Sequence, residues 1–203
     1  MYESKNGVFA LLFWLGCGTI AAAQTQKMGA DPANRDFATL DAHREKLAML
    51  VFLESVEKQI VSAAEAMPAV RYGFAPTDGE FHGVRSFGQQ VKHLAATNHI
   101  LAVAALGQEA PADAGDEAGP ETVRTKAEIL AYLQSSFAYL GQAIDAIDEK
   151  NGNVNSSPIS PLKKTETTRL ALTAEALIHT FNHYGQMVEY LRMNGIVPPA
   201  SRP

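Results

Sequence analysis

The sequence of 203 residues is poor in several of the groups from which functional sites are commonly built. It contains one cysteine, Cys17, and no cluster of lysine or arginine. One thiol excludes a site made of several thiolates, and without a basic face to neutralise phosphates nucleic acid is not an expected partner. No Gly-x-Ser-x-Gly elbow, phosphate-binding glycine loop or dinucleotide fingerprint is present. A functional site would therefore be built mainly from nitrogen and oxygen ligands.

Long apolar runs are also scarce, and the clearest one lies at the amino terminus between Val8 and Ile20. Lys5 precedes it, and small residues ending at Ala23 follow it. This order is typical of a secretory signal, and the run is too short for a comfortable membrane span. We predict cleavage near Ala23, export to the periplasm or the medium, and no membrane span in the mature protein.

Two other fates of this terminus stay open. One is an uncleaved anchor, and the other is lipoprotein processing at Cys17, which is disfavoured because Trp14 stands where such signals usually have leucine. The formal net charge is −5 and the hydrophobic content is 46%, enough for one core. The sequence thus predicts a signal peptide (1–23), a flexible lead-in (24–34) and one domain (35–203).

Hydrophobic residues recur at helical spacing in four segments, and no segment shows the alternation of a strand. The predicted helices cover roughly 35–67, 86–106, 125–148 and 168–194. Ser86 with Gln89 and Thr125 with Glu128 form capping boxes at two of the starts. An all-α four-helix bundle is therefore the predicted fold.

The first of these helices is expected to bury one long apolar stripe. It is formed by Phe37, Leu40, Leu47, Leu50, Val51, Val56, Ile60, Ala63, Ala64 and Met67. Between the second and third helices, residues 107–124 form a loop that is long for a bundle. Such a loop either crosses the length of the bundle or carries function.

The last helix carries two histidines, His179 and His183, which lie one turn apart on the same face. At this spacing both imidazoles can reach one metal ion, although two half-exposed histidines without a ligand would show the same pattern. His93 on the second helix is the best candidate for a third ligand. A lone helical histidine is more often a hydrogen-bonded boundary residue, so the residues alone leave both readings open.

The other histidines are assigned no role. His43 is expected on the polar side of the first helix and His82 in a connector. His99 is rotated by more than half a turn from His93 and is not expected to share an ion with it. Glu175, one turn before His179, could be a ligand, a base or a surface residue, and a surface position is slightly favoured.

Two segments, RSFGQQVKHLAATN and HTFNHYGQMVEYLRMNGIVPPAS, resemble the DinB-like superfamily of metal-binding four-helix bundles. The resemblance extends from about Phe37 to Ser201. It implies an up-down-down-up helix order with a long crossover between the second and third helices. It also implies that His93, His179 and His183 hold a divalent metal.

Three imidazoles would leave a coordination position open, as in catalytic rather than structural zinc sites. Nitrogen ligands favour zinc or nickel, with iron and copper as alternatives. The first hypothesis is a metal-dependent enzyme with a small-molecule substrate, either a hydrolase that uses metal-bound water or a thiol-dependent transferase, because some relatives use thiols. Export to an oxidising compartment argues against a thiol cosubstrate.

Gln186 is a candidate to orient the bound water or a ligand imidazole, although a helix-surface amide is nearly as good an interpretation. The alternative function is a non-catalytic exported bundle that binds a metal or another ligand. A homodimer stays open.

Overall fold

The computed structural model describes residues 42–76, 82–109, 116–148, 154, 157, 159–163 and 167–203. Four long helices make up most of this part of the chain: α1 (Ala42–Ala66), α2 (Phe87–Ala105), α3 (Lys126–Asp145) and α4 (Arg169–Met193). Two short 3-10 helices, Ala69–Arg71 and Pro199–Ser201, follow α1 and α4. The described residues include no strand. The all-α prediction is confirmed.

The starts of α2 and α3 are fixed by the predicted capping boxes. The Ser86 hydroxyl accepts from the backbone N–H of Gln89, whose side-chain oxygen accepts from the Ser86 N–H. Thr125 and Glu128 make the same reciprocal pair. Each box satisfies two amide groups that have no partner within the helix, which is why both helices begin where the sequence predicts.

Contacts near the helix ends show that α1 and α3 are antiparallel. Near the start of α1, the ammonium of Lys46 donates to the carbonyl of Asp145 at 2.6 Å, just at the end of α3. At the opposite end, Lys126 of α3 donates to the carbonyl of Met67 at 2.8 Å. The start of each helix therefore lies beside the end of the other.

Similar contacts orient α2 against its two neighbours. The Tyr190 hydroxyl near the end of α4 donates to the Arg85 carbonyl just before α2, so these two helices are antiparallel. The side chain of Ile129 lies against Gly88 near the start of both α2 and α3, whereas Asn98 bonds to Ser136 farther along both. Because α2 and α3 are parallel, the helix order is up-down-down-up, as the family resemblance implies.

Two parallel helices that follow each other in the chain need a connection that returns along the bundle. The second half of this connection, residues 116–125, packs against α2 and α3 at Gly119. Gly119 has a φ of +73°, and a β-carbon there would lie 3.1 Å from Lys92 and 3.3 Å from the Tyr132 ring. Glycine therefore permits the close approach that brings Glu117 to the side of α2.

The predicted stripe of α1 is partly wrong. Leu47 and Val51 are 50% and 65% exposed, while Met49 and Leu53 face the core. Residues 47–53 are apolar throughout, so their periodicity fits more than one helix face and packing decides between them. Val56, Ile60, Ala63, Ala64 and Met67 are buried as predicted. Phe37 and Leu40 lie outside the described residues.

Within the described part of the chain, no helix combines the length and apolarity needed to cross a membrane. The predicted signal peptide and its cleavage site lie outside the described residues, as do the lead-in and the predicted first residues of α1.

Candidate metal centre

Three histidines meet between α2 and α4. Measured between ring centroids, His93 lies 5.1 Å from His179 and 4.9 Å from His183, and the latter two are 4.2 Å apart. One nitrogen from each ring can be chosen so that all three lie within 4.8 Å of one another. His93 and His183 are buried, and His179 is half-buried. The cluster of these three side chains is called the triad below.

His93 is held in one tautomer by the crossover connection. Its Nδ1–H donates to the backbone carbonyl of Glu117 at 2.8 Å. A carbonyl can only accept, so the neutral ring carries its proton on Nδ1 and has a free lone pair on Nε2. A backbone carbonyl that orients an imidazole in this way is typical of the surroundings of metal ligands.

His179 and His183 approach each other through their Nε2 atoms, which are 2.9 Å apart. The Nδ1 atom of His179 is buried and has no hydrogen-bond partner among the described residues. Whichever ring carries a proton between the two Nε2 atoms, this second nitrogen stays unsatisfied. An ion held by both Nε2 atoms would replace the single hydrogen bond between them, whereas Nδ1 of His179 needs a partner of its own.

The third imidazole, His183, is contacted on its far side by Gln90 of α2, through Nδ1. The same carboxamide bonds to Gln186 at 2.7 Å, and Gln186 bonds in turn to Asn182 at 2.7 Å. In the orientation described, the Gln90 nitrogen faces Nδ1, which leaves the His183 proton on Nε2. If Nε2 binds an ion, the proton sits on Nδ1, and Gln90 must turn its carboxamide so that the oxygen accepts.

Burial and proximity keep the triad uncharged. Desolvation, followed by the repulsion that a charge on His93 would add, lowers the pKa of His179 to about 4. Desolvation and then the charges that His179 and His93 would carry lower the pKa of His183 to about 3. Desolvation also lowers the pKa of His93. All three rings are neutral near pH 7, which is the form that binds metals.

These observations meet the requirements of a single transition-metal ion. The ligands are three neutral imidazoles, and bonds of about 2.0–2.1 Å to one ion are compatible with nitrogens 2.9 Å apart. An ion would provide a partner for both facing Nε2 atoms. The residues present therefore fit a divalent metal that accepts nitrogen ligands.

The other histidines do not join the triad. His43 and His82 are exposed. His99 faces α3, where its Nε2 lies 3.1 Å from the Ser135 hydroxyl and its ring stacks on Tyr132. The angular argument that separated His99 from His93 agrees with this placement.

Gln186 and Glu175 do not lie where the favoured interpretations of the sequence would place them. Gln186 is exposed and contacts Gln90 and Asn182, so it acts on the triad only through Gln90. Glu175 is half-buried rather than on the open surface, and its Oε2 accepts from the Ser160 hydroxyl at 2.6 Å. The connection between α3 and α4 covers it.

Sequence reasoning missed Gln90 and the carbonyl of Glu117. Gln90 lies three residues before His93 on the same helix face, so its spacing was a usable signal. The carbonyl of Glu117 left no signal, because any residue supplies a carbonyl and only the path of the crossover brings this one to His93.

Comparison with known proteins supports these findings. A family model described as the DinB superfamily matches residues 53–187, which is about two thirds of the chain. The matched range includes α2, most of α1 and α4, and all three triad residues. No curated protein matches the chain.

Proposed function

The chain belongs to the DinB superfamily, and from this premise we propose that it is an exported metal-dependent enzyme that acts on a small molecule. His93, His179 and His183 would hold the ion, with zinc or nickel favoured and iron or copper as alternatives. The observation that carries the proposal is the convergence of three neutral imidazoles between α2 and α4, with one nitrogen of each ring within 4.8 Å of the others.

When bound, such an ion supplies a Lewis acid that polarises a substrate oxygen or lowers the pKa of water or a thiol. The protein residues orient and tune the site. Glu117 and Gln90 fix the rings of His93 and His183 from behind, and the buried setting disfavours any charged form of the imidazoles. The reaction class is a hydrolysis, or a transfer that uses a thiol.

Metal analysis of protein purified without a histidine tag tests the first half of the proposal. We expect close to one equivalent of a transition metal after loading, and none in a variant with all three histidines changed to alanine. Less than about a tenth of an equivalent in the loaded wild type would refute the metal site, given the affinities expected for such ligand sets.

Activity is tested by comparing wild type and His93→Ala on panels of hydrolase and thiol-transfer substrates. We expect turnover that needs the metal and disappears in the variant. Turnover that survives the substitution would refute the mechanism. Stoichiometric metal without any turnover would instead favour the non-catalytic metal-binding alternative.

Export is a separate part of the proposal, supported by the amino-terminal pattern of the sequence. In the native host, mass spectrometry of the mature protein should find an amino terminus at Gln24 in the exported fraction. A mature protein that keeps Met1, or one that begins at a lipid-modified Cys17, would contradict cleavage after Ala23.

A further inference from the structure

A small cavity adjoins the triad on the side of His179. Its volume is about 100 Å³. This is smaller than the cavity of about 150 Å³ that accommodates a benzene molecule, so it suits a group of a few heavy atoms. The lining residues are Thr97, Leu101, Glu117, Ile159, Glu175 and His179.

The cavity is built by the same elements that build the triad. On α2, Thr97 lies one turn after His93; on α4, Glu175 lies one turn before His179. Glu117 belongs to the crossover connection whose carbonyl holds His93. A group bound in the cavity would therefore lie next to the ion that the triad would hold.

One wall of the cavity contains a polar group with nothing to bind. Thr97 is only 4% exposed, and its hydroxyl has no hydrogen-bond partner among the described residues. Buried hydroxyls are nearly always paired because an unpaired one costs free energy. Because Thr97 lines the cavity, its unpaired hydroxyl lies close to any group that binds there.

Besides the His179 imidazole, the other polar groups of the cavity are two carboxylates. Ser160 holds Oε2 of Glu175, which leaves Oε1 for a ligand. The side chain of Glu117 is 47% exposed, with Oε2 3.9 Å from Nδ1 of His93. No lysine or arginine lines the cavity. Its remaining walls are the aliphatic side chains of Leu101 and Ile159.

We propose that this cavity binds the protonated amino group of the substrate, which makes the substrate class a small primary amine. An ammonium group carries three N–H donors. The lining residues include three acceptor groups, the Thr97 hydroxyl and the carboxylates of Glu117 and Glu175, beside aliphatic surface for a short carbon chain. The proposal rests on the proposed function for its catalytic meaning, but the cavity can be tested separately.

The test measures binding of three probes of the same size to the zinc-loaded full chain by ligand-observed NMR. The probes are propylammonium, 1-propanol and propionate. We expect saturable binding of propylammonium and much weaker binding of the neutral and anionic probes. The metal-free protein should show the same preference, because the carboxylates and not the ion create it.

Substitutions then locate the binding. Glu175→Gln should weaken propylammonium binding about tenfold or more, the scale of a lost hydrogen bond to a charged group, with zinc affinity unchanged. Glu189→Gln, on an exposed part of the same helix, is the matched control and should leave the affinity for propylammonium as it is. Thr97→Val should also weaken binding but preserve the melting temperature, because this hydroxyl has no internal partner to lose.

The proposal would be overturned if propylammonium and 1-propanol bound equally well, or if Glu175→Gln kept full affinity for propylammonium. In either case, zinc binding by the same protein would still support the metal site. Conversely, amine selectivity that depends on Glu175 in a protein that binds no zinc would support the cavity and refute the proposed function. If Glu175→Gln fails to fold because the contact with Ser160 is lost, Thr97→Val and Glu117→Gln decide the question by the same criteria.

Discussion

The interface between α2 and α4 contains two buried polar clusters that differ in one respect. Asn98 lies between the hydroxyls of Ser136 and Thr180, which also bond to backbone carbonyls of their own helices. Every side-chain polar atom of this cluster has a protein partner. In the triad, two ring nitrogens face each other and Nδ1 of His179 has no partner.

The Asn98 cluster is a structural polar cluster, whereas the triad is a cluster that could hold an ion. The Asn98 cluster ties three helices together with neutral groups that satisfy one another, so it needs nothing from outside. The triad is less completely buried, because His179 is half-buried, and its three imidazoles lie close enough together that they could hold an ion.

Removing a triad imidazole should abolish useful metal binding. His183→Ala is expected to lower zinc affinity by more than about 100-fold, because the loss of a direct ligand exceeds the 10–100-fold cost of losing an outer contact. Competition with a chromogenic chelator measures this. His99→Ala is the matched control, since His99 is a partly buried histidine of α2 that faces α3, and it should bind zinc like the wild type. An equal loss of zinc affinity in both variants would contradict the assignment of His183, but not His99, to the metal site.

Changing the residue behind His183 should produce a smaller effect that depends on chemistry. Gln90→Leu removes the acceptor for Nδ1–H and should weaken zinc binding roughly 10–100-fold. Gln90→Glu keeps an acceptor of similar size and should restore most of the affinity, as measured by the same competition. If the glutamate variant is as weak as the leucine variant, Gln90 acts only through packing.

Breaking the Asn98 cluster should reduce the stability of the protein without changing its metal binding. Asn98→Ala is expected to lower the free energy of unfolding by about 1–3 kcal/mol, since it leaves a cavity and removes partners from two buried hydroxyls. Chemical denaturation of the metal-free protein measures this change. The zinc stoichiometry should stay at one equivalent, and its loss would show that the two clusters are not independent.

The smallest effect is on the pH dependence of the metal-free protein. The folded-state pKa values of His179 and His183, about 4 and about 3, lie below the value of 6.5 expected when unfolded. The unfolded state therefore binds more protons, and stability falls as the pH drops below about 7. Between pH 7 and pH 6.5 the two residues together should lower the free energy of unfolding by about 0.5 kcal/mol. This value depends only on their pKa in the unfolded state, because both rings stay neutral in the folded state over this range.

Thermal melts at the two pH values check this, with a double His179→Ala, His183→Ala variant for comparison. The variant should show a shallower dependence. Asn98→Ala removes no titratable group, and its pH dependence should match that of the wild type. A steeper dependence in the double variant would reverse the sign of the predicted linkage.

Much of the fold could be predicted because its signals are local. The capping pairs that begin at Ser86 and Thr125 lie within a few residues of the helix starts that they determine. The second half of α1 buries its predicted residues, from Val56 to Met67. The first half of α1 does not, because residues 47–53 are apolar on all sides and their orientation depends on the rest of the bundle.

The candidate site likewise combines residues that local signals reveal with residues that they do not. His179 and His183 form a local pair that spacing alone reveals, and the family resemblance identified His93 as their partner. The groups that complete the surroundings come from distant segments: Glu117 is 24 residues after His93, and Ser160 is 15 residues before Glu175. Their roles depend on where two long connections run, and no periodicity in the sequence encodes that path.

The central claim is that the three imidazoles share one ion, and anomalous diffraction from crystals of the zinc-loaded, tag-free protein tests it most directly. With data collected on both sides of the zinc absorption edge, we expect one strong peak within bonding distance, about 2.0–2.1 Å, of a nitrogen of His93, His179 and His183. A protein whose only zinc peaks lie on the surface, with the Nε2 atoms of His179 and His183 still in direct contact, would contradict it.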